Sequence, residues 1–433
     1  MSNDTIYALA TGRVCSAIAV VRVSGPASAD VITRLTGGRV PEMRRLVRRD
    51  LFGPDGDVID DAMVVTFAEG ASYTGEAAAE IHCHGGPAVI SAVLDAIAAC
   101  PGARVAEPGE FTRRAVMNGL IDLTEAEGIG DLIAAETDLQ RRQALQIMSG
   151  AVSDQADRWR EVLLQARALV ELTIDWADEE VPEDVSDDVR ALLETLLSEL
   201  QTELRRSAKA ERLRTGFEVA LVGAPNVGKS SLLNAILGRE AAITSDIPGT
   251  TRDVIEARFD LDGIPVTFLD LAGLRETSDT VEQIGVARAR ARAEAADIRL
   301  FLSAPDVEAV DLGVERGAGD LVVSTKGDIA VGAGDLSVSA TSGAGVDALL
   351  GKIAKALPSS LGDVGLLSHH RHTVAVEECS VLVQKCAASI GESDLEVLAE
   401  DLRLASTHLE RVIGRVGVED VLGAVFSSFC LGK

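Results

Sequence analysis

Residues 223–230 read Gly-Ala-Pro-Asn-Val-Gly-Lys-Ser, directly after the apolar run FEVALV and directly before the helical pattern SLLNAIL. Glycines at both ends of such a segment let backbone N–H groups turn inward around phosphates, and the following helix points its positive end at them. Lys229 supplies a point charge to β- and γ-phosphates, and Ser230 offers an oxygen to Mg²⁺. Asn226, Val227, Gly228, Lys229, Ser230 and Ser231 are therefore candidate nucleotide contacts. Three further segments follow in order, each at the end of an apolar run. Asp270-Leu271-Ala272-Gly273 places a carboxylate where it can hold Mg²⁺ through water and a glycine N–H where it can sense a γ-phosphate. Thr325-Lys326-Gly327-Asp328 places a carboxylate that can accept from guanine N1–H and N2–H₂, a donor pair adenine lacks. Ser339-Ala340-Thr341 can set a backbone N–H near guanine O6. Each alone also reads as a solvated loop after a strand; it is the order of all four that points to a guanine nucleotide.

The elements that must position these loops are visible in the pattern. FEVALVG, PVTFLDLAG, IRLFLS, LVVSTKGD and LSVSA are short apolar runs separated by helical stretches, which predicts a parallel sheet with crossover helices over about 216–356. Upstream, about 118–213 contains few Gly or Pro residues, and Val189, Leu192, Leu193, Leu196, Leu197, Leu200 and Leu204 form one apolar helical stripe, suited to a bundle core or a dimer seam. From about 372 onward the pattern is helical again, so the α/β segment reads as inserted into a helical domain. Residues 1 to about 117 mix β-branched runs with Gly/Pro punctuation and predict an α+β domain. The acidic stretch 175–188 (DWADEEVPEDVSDD) reads as a solvated loop between helices.

Composition narrows the classes. The chain has 433 residues, enough for two or three domains. With 41 Lys+Arg against 68 Asp+Glu the formal charge is −27, which disfavours general nucleic-acid binding unless a local basic patch or a basic partner brings RNA in. Aromatics at 3% argue against base-stacking platforms. Six scattered cysteines without a CxxC pair suggest a reducing cytoplasm, as does an N-terminus with no signal-peptide pattern and the lack of a membrane-length apolar run. His82-Cys83-His84 invites a metal reading, but alternation along a strand sends Cys83 to the opposite face from the histidines, and one short segment rarely closes a Zn²⁺ shell.

Further motifs carry a family resemblance over essentially the whole chain: NDTI at 3–6, VRVSGP at 21–26, SYTGE at 72–76, HGGP at 84–87, PGEFTRRA at 108–115, PGTTRD at 248–253 and the terminal FCLGK at 429–433. The sequence resembles the MnmE (TrmE) family of bacterial tRNA-modifying GTPases. The resemblance implies a multidomain α/β protein with an N-terminal α+β folate-binding and dimerisation domain (1–117), a helical domain (118–214 and 359–433) and an inserted Ras-like G domain (215–358). It implies a homodimer whose G domains pair across K⁺ to hydrolyse GTP. It also implies an FAD-containing partner of the MnmG (GidA) family in a heterotetramer, and a carboxymethylaminomethyl group installed at C5 of the tRNA wobble uridine from a tetrahydrofolate one-carbon donor (5,10-methylene- or 5-formyl-).

Carried over by position, Asn226, Ser245, Ile247 and Thr250 correspond to the K⁺ site, with Ser245 where Thr is common. Asp246, Pro248, Gly249 and Thr251 complete that nucleotide loop, and Thr251 joins Ser230 on Mg²⁺. Glu282 corresponds to the residue that orients the attacking water, a role Ras-type GTPases give to a Gln where this chain has Leu274; without the resemblance Glu282 reads as an exposed helix residue. Thr325 stands where the guanine motif usually has Asn. Arg22, Glu80 and Lys433 correspond to folate contacts, although Arg22 and Glu80 also read as an ordinary ion pair in a sheet. Leu120 occupies a folate position that is usually basic, and 12–16 (GRVCS) lacks two of the glycines common after the first strand. Cys430 reads either as a residue of the modification chemistry or as a buried apolar side chain. Two other classes share part of the pattern: a ribosome-assembly GTPase switch, which lacks both flanks, and a folate enzyme with a vestigial G domain, which GTP turnover would exclude.

Overall fold

The apolar runs become strands wherever both faces find cover. The structure, a computed structural model, describes residues 4–12, 14–175, 186–238, 242–243, 255–270, 290–308, 310, 313–317, 319–330, 334–357, 364–391, 394–416, 422–423, 425–426, 429 and 432. The chain divides into two units, residues 1–130 with 410–433, and residues 131–409.

The first unit holds a six-stranded sheet of β1 (Thr5–Leu9), β2 (Ser16–Ser24), β3 (Val47–Phe52), β4 (Val58–Phe67), β5 (Ala78–Gly85) and β6 (Ala103–Val105), in the order β3-β4-β5-β2-β1-β6. Neighbours are antiparallel except β1 and β6. Helices α1 (Ser28–Leu35) and α2 (Pro87–Ala98) supply Val31, Ile32, Leu35, Val93 and Ile97 to a core shared with Val21, Val23, Leu51, Val64 and Ile81. Alternation on β2 and β5 turns the other face outward, and the register sets Arg22 opposite Glu80.

Charged residues far apart in sequence meet in this unit. On α3 (Glu110–Met117), Arg114 donates to Asp4 Oδ1 at 2.9 Å, Glu110 Oε1 at 3.0 Å and Glu76 Oε2 at 3.0 Å. Arg104 reaches Asp4 at 2.5 Å and Glu110 at 2.6 Å. After α4 (Leu123–Ala134), the C-terminal segment returns to the same unit, where Phe426 and Phe429 pack on Leu123 and Ala126. Gly432, at φ +94°, lies so close to β1 that an added Cβ would stand 2.2 Å from the Leu9 carbonyl oxygen.

The second unit combines helices with a seven-stranded sheet. Helices α5 (Asp138–Met148), α6 (Ala151–Asp175) and α7 (Ser186–Thr215) precede the sheet. Val189, Leu193, Leu196, Leu200, Ala210 and Leu213 of α7 are buried, whereas Leu192, Leu197 and Leu204 are half-buried. The stripe packs within the chain against α6, where Trp159 Nε1 donates to Glu199 at 3.0 Å, and against a helix beyond the sheet, α10 (His370–Ser389), so it serves as bundle core. The acidic stretch is not all loop. Asp175 ends α6 and Ser186, Asp187 and Asp188 open α7, where carboxylates face the helix's positive end; 176–185 lie outside the described residues.

The sheet comprises β7 (Phe217–Val222), β8 (Ala242–Ile243), β9 (Ile255–Leu261), β10 (Ile264–Asp270), β11 (Ile298–Ser303), β12 (Leu321–Ser324) and β13 (Leu336–Ser337), in the order β13-β12-β11-β7-β10-β9-β8. The five strands from β13 to β10 are parallel, and β9 and β8 add an antiparallel edge. Helices α8 (Lys229–Leu237) and α9 (Val346–Ala356) bury Leu232, Ile236, Leu349 and Ile353 in its core. A further helix, α11, spans Leu395–Ile413. This is the multidomain α/β architecture expected from the pattern. No helix among the described residues is long and apolar enough to cross a membrane.

The Arg104–Glu110–Arg114 cluster yields the first prediction. Burial alone would raise the Glu110 carboxyl, but hydrogen bonds from Arg104, the Glu107 N–H and Arg114 outweigh it and hold that carboxyl below its usual range. A depressed folded value contributes stability that is complete above the unfolded value of about pH 4.3 and is lost as pH falls through the folded one. Glu110→Gln removes one of the two carboxylates that Arg104 and Arg114 share, while Asp4 and Glu76 still partner them, and should cost about 1–3 kcal/mol at neutral pH. Urea unfolding at pH 7 and below pH 4 checks both, because the gap between wild type and variant should narrow in acid.

Candidate guanine-nucleotide site

The loops that follow β7, β12 and β13 and the last residue of β10, Asp270, lie at the C-terminal ends of parallel strands, where open α/β sheets bind ligands. At Gly223 the chain passes against the neighbouring strand: an added Cβ would stand 2.9 Å from Val227 Cγ1 and 3.0 Å from the Leu302 carbonyl oxygen. Asn226 (φ +63°) and Gly228 (φ +103°) make the left-handed bends that curl the loop before α8 begins at Lys229.

Lys229 is buried and folds back on its own loop, with Nζ 2.8 Å from the Gly223 carbonyl and 3.1 Å from the Ala224 carbonyl. Burial pushes its ammonium below the usual lysine range, and the charge of Asp270 opposes that shift. Ser230 Oγ donates to Asp270 Oδ2 at 2.6 Å. Asp270 is 1% exposed, and its Oδ1 has no hydrogen-bond partner among the described residues. A buried carboxylate oxygen without a donor among the described residues, beside a hydroxyl oxygen, is a donor set suited to a hard divalent cation. Ser230 and Asp270 therefore fit Mg²⁺, which would neutralise phosphate charge when bound.

The base-reading loops are braced in the same way. Thr325 is buried, and its hydroxyl faces the Val227 carbonyl of the phosphate loop and, at 3.0 Å, the Ser303 carbonyl. The threonine that replaces the usual Asn thus ties the base loop to the phosphate loop. Lys326 (φ +55°) pairs with Asp306 at 2.6 Å. Exposed Asp328 accepts from Ser339 Oγ at 2.7 Å, and this hydrogen bond holds its carboxyl below the ordinary range. The Gly327 N–H donates to the Val338 carbonyl at 2.9 Å, joining the loop to the segment that carries Ser339, Ala340 and Thr341.

In the first unit, Arg22 donates to Glu80 Oε1 from Nε at 3.1 Å and from Nη2 at 2.9 Å. Its guanidinium lies 5.3 Å from the Tyr73 ring centroid and 5.7 Å from that of Phe111. Both members of the pair line a cavity of about 120 Å³ with Ser24, Tyr73 and Thr74. Leu120 is 46% exposed and is not part of that lining, although its Cδ1 approaches the Gly75 turn. The aromatic contacts of Arg22 are not legible in spacing, since Tyr73 and Phe111 come from distant segments. His82 faces Glu80 at 3.5 Å, His84 pairs with Asp60 at 2.7 Å and Cys83 is buried, so the three turn to separate partners.

A family model described as the MnmE helical domain matches residues 123–430, and one described as the GTP-binding protein TrmE N-terminus matches residues 5–120. A tRNA modification GTPase MnmE of Cereibacter sphaeroides is 50% identical over 432 residues, which cover 99% of this chain and 100% of that protein. Those of Dinoroseobacter shibae and Rhodopseudomonas palustris are 48% and 45% identical, covering 99% and 100% of this chain and 100% and 99% of theirs. The chain belongs to the MnmE family of tRNA modification GTPases. Its enzyme class is GTP hydrolase in tRNA modification.

Other family positions lie outside the described residues: Ser245, Asp246, Ile247, Pro248, Gly249, Thr250, Thr251, Leu271, Ala272, Gly273, Glu282, Cys430 and Lys433. Of the K⁺ positions only Asn226 is described, exposed at the tip of the phosphate loop. Cys379 and Cys386 are buried in the helical bundle, where burial pushes both thiols up to about 12, so neither is a ready nucleophile.

Removing the Ser339 hydroxyl frees Asp328 to rotate and removes one hydrogen bond to a charged group. Ser339→Ala should raise the Kd for GDP roughly 5- to 30-fold, equivalent to about 1–2 kcal/mol. Calorimetry with GDP and GTP checks this, and the melting temperature of the nucleotide-free protein should move little.

Proposed function

We propose that the protein is a K⁺-stimulated GTPase. We further propose that it acts with an FAD-containing partner of the MnmG (GidA) family to install the carboxymethylaminomethyl group at C5 of the tRNA wobble uridine, drawing on a tetrahydrofolate one-carbon unit. The observation that carries this reading is the convergence of Lys229, Ser230, Asp270 and Asp328 on one edge of a parallel sheet, in a chain matched end to end by MnmE relatives.

In this reading Lys229 leaves the Gly223 and Ala224 carbonyls for the β- and γ-phosphates of GTP, while Ser230 and Asp270 hold Mg²⁺ and Thr251 completes its shell. Asp328 selects guanine. Asn226, with Ser245, Ile247 and Thr250, takes K⁺, which would neutralise charge that develops on the phosphates. Glu282 orients the attacking water. Arg22, Glu80 and Lys433 hold the folate in the cavity of the first unit: the arginine suits a glutamate-tail carboxylate and Glu80 suits the pterin amino edge. Leu120, at the position that is usually basic, removes one electrostatic contact. Cys430 serves the modification chemistry. The domain assignment follows as folate-binding and dimerisation (1–117), helical (118–214 and 359–433) and G domain (215–358), in a cytoplasmic homodimer.

Steady-state GTP turnover in K⁺ should exceed that in Na⁺ by roughly tenfold or more, since one charge well placed in the transition state contributes several kcal/mol. Asn226→Ala should abolish the difference while leaving GDP binding in place. Equal rates in the two salts would remove the ion from the mechanism.

A further inference from the structure

Residues 39–49 read Arg-Val-Pro-Glu-Met-Arg-Arg-Leu-Val-Arg-Arg, five arginines and one carboxylate in a chain of formal charge −27. The structure gathers them at one edge of the first unit's sheet, where β3 is the terminal strand. The segment before β3 folds back on β4: the Arg44 N–H donates to the Thr66 carbonyl at 2.7 Å, and the Thr66 hydroxyl donates to the Pro41 carbonyl at 3.4 Å. Arg49 Nε donates to the Arg39 carbonyl at 2.7 Å and closes the cluster.

Arg39, Arg44, Arg45 and Arg48 are exposed. Arg45 meets Glu42 at 3.2 Å in an exposed pair, and Arg48 meets Asp61. Asp50 stands opposite Asp61 in the strand register. Arg39 and Arg44 have no carboxylate partner among the described residues. Asp55, Asp57 and Asp60 lie farther along the same hairpin, so the excess of positive charge is confined to residues 39–49, where five arginines face the single carboxylate of Glu42.

The backbone adds an independent observation. Among the described residues, four other than glycine adopt a left-handed conformation: Arg44 at φ 60°, Asn226, Asp262 and Lys326. Asn226 and Lys326 belong to the nucleotide loops, and Asp262 turns the β9–β10 hairpin. An arginine in this conformation is strained where glycine would be at ease, and strain of this kind collects at sites that use the side chain.

We propose that the β3 edge is a docking surface for the phosphodiester backbone of RNA, an inference that rests on the family's role in tRNA modification. Every cation in the cluster is an arginine, whose planar fork matches phosphate oxygens and sheds water more readily than an ammonium. No aromatic side chain lies within residues 39–49, so the surface grips the backbone and reads no base. Exposed Met43 and Leu46 border it and define the rival occupant, an acidic protein surface.

The test uses the full chain and fluorescent tRNA, titrated between about 50 and 200 mM salt. The variant carries Arg39→Ala, Arg44→Gly and Arg45→Ala; glycine preserves the left-handed turn. Loss of three phosphate contacts should lower tRNA affinity at least tenfold at low salt and reduce the magnitude of the log K against log salt slope by about 2–3, with GTP turnover unchanged. Unchanged affinity and slope overturn the proposal. So does intact tRNA binding accompanied by loss of the dimer or of a protein partner on a sizing column. Should the triple variant fail to fold, arginine modification of the wild type by phenylglyoxal decides: tRNA should protect residues 39–49, and lack of protection overturns the proposal. Failure of the wild type to turn over GTP or modify tRNA would instead sink the functional reading.

Discussion

An ammonium group taken out of water with no carboxylate in contact among the described residues is the constraint around which the nucleotide site is built. Lys229 gives two of its three protons to the Gly223 and Ala224 carbonyls, whose dipoles compensate in part for lost hydration but cannot neutralise a full charge. The loop is left with an electrostatic deficit that an anion relieves. Left-handed bends at Asn226 and Gly228 fix the carbonyls where the lysine needs them. They also set the start of α8, so the strained backbone and the buried cation support one arrangement.

The sheet converts that local arrangement into a site. β7 lies between β11 and β10, and the β10 register places Asp270 beside Leu221, within reach of Ser230 on the helix that follows β7. β12 lies one strand beyond β11, yet its loop is drawn back by the Thr325 hydroxyl to the Val227 carbonyl. A side chain that differs from the usual one at this position therefore still acts as a mechanical tie. The Thr325 loop and the Gly223–Ser230 loop are therefore tied to each other. Ser339 extends the coupling by fixing the Asp328 carboxylate. The candidate nucleotide loops share one hydrogen-bonded frame.

How much of this is legible in the sequence depends on range. The five parallel strands can be read because strands covered on both faces become unbroken apolar runs. The α7 stripe can be read because helical spacing is local, although periodicity alone does not distinguish buried Leu193 from half-buried Leu192 and Leu197, which only the neighbouring helices decide. The acidic stretch reads wholly as loop because charge dominates its composition, whereas Asp187 and Asp188 are favoured in a first helical turn. At the nucleotide site each loop is visible from its own residues. The hydrogen bonds between loops are not, since Thr325 to Val227 spans 98 positions. Tyr73 and Phe111 around Arg22 stay hidden for the same reason.

The N-terminal motifs acquire a physical meaning that resemblance could not give them. Asp4 comes from NDTI, Glu76 from SYTGE, and Glu110 and Arg114 from PGEFTRRA, and Arg114 touches all three carboxylates. Motifs separated by more than a hundred residues are thus the parts of one ion network, which requires the first strand, the loop before β5 and α3 to come together. Ser24 donates to Glu76 at 2.7 Å and lies 2.7 Å from the Thr74 hydroxyl, and Ser24 and Thr74 also line the cavity that holds Arg22 and Glu80. The network therefore supports the wall of the cavity without entering it. A substitution at Arg114 would relax that wall from outside the cavity, so a change in the cavity in such a variant is no evidence that Arg114 faces into it.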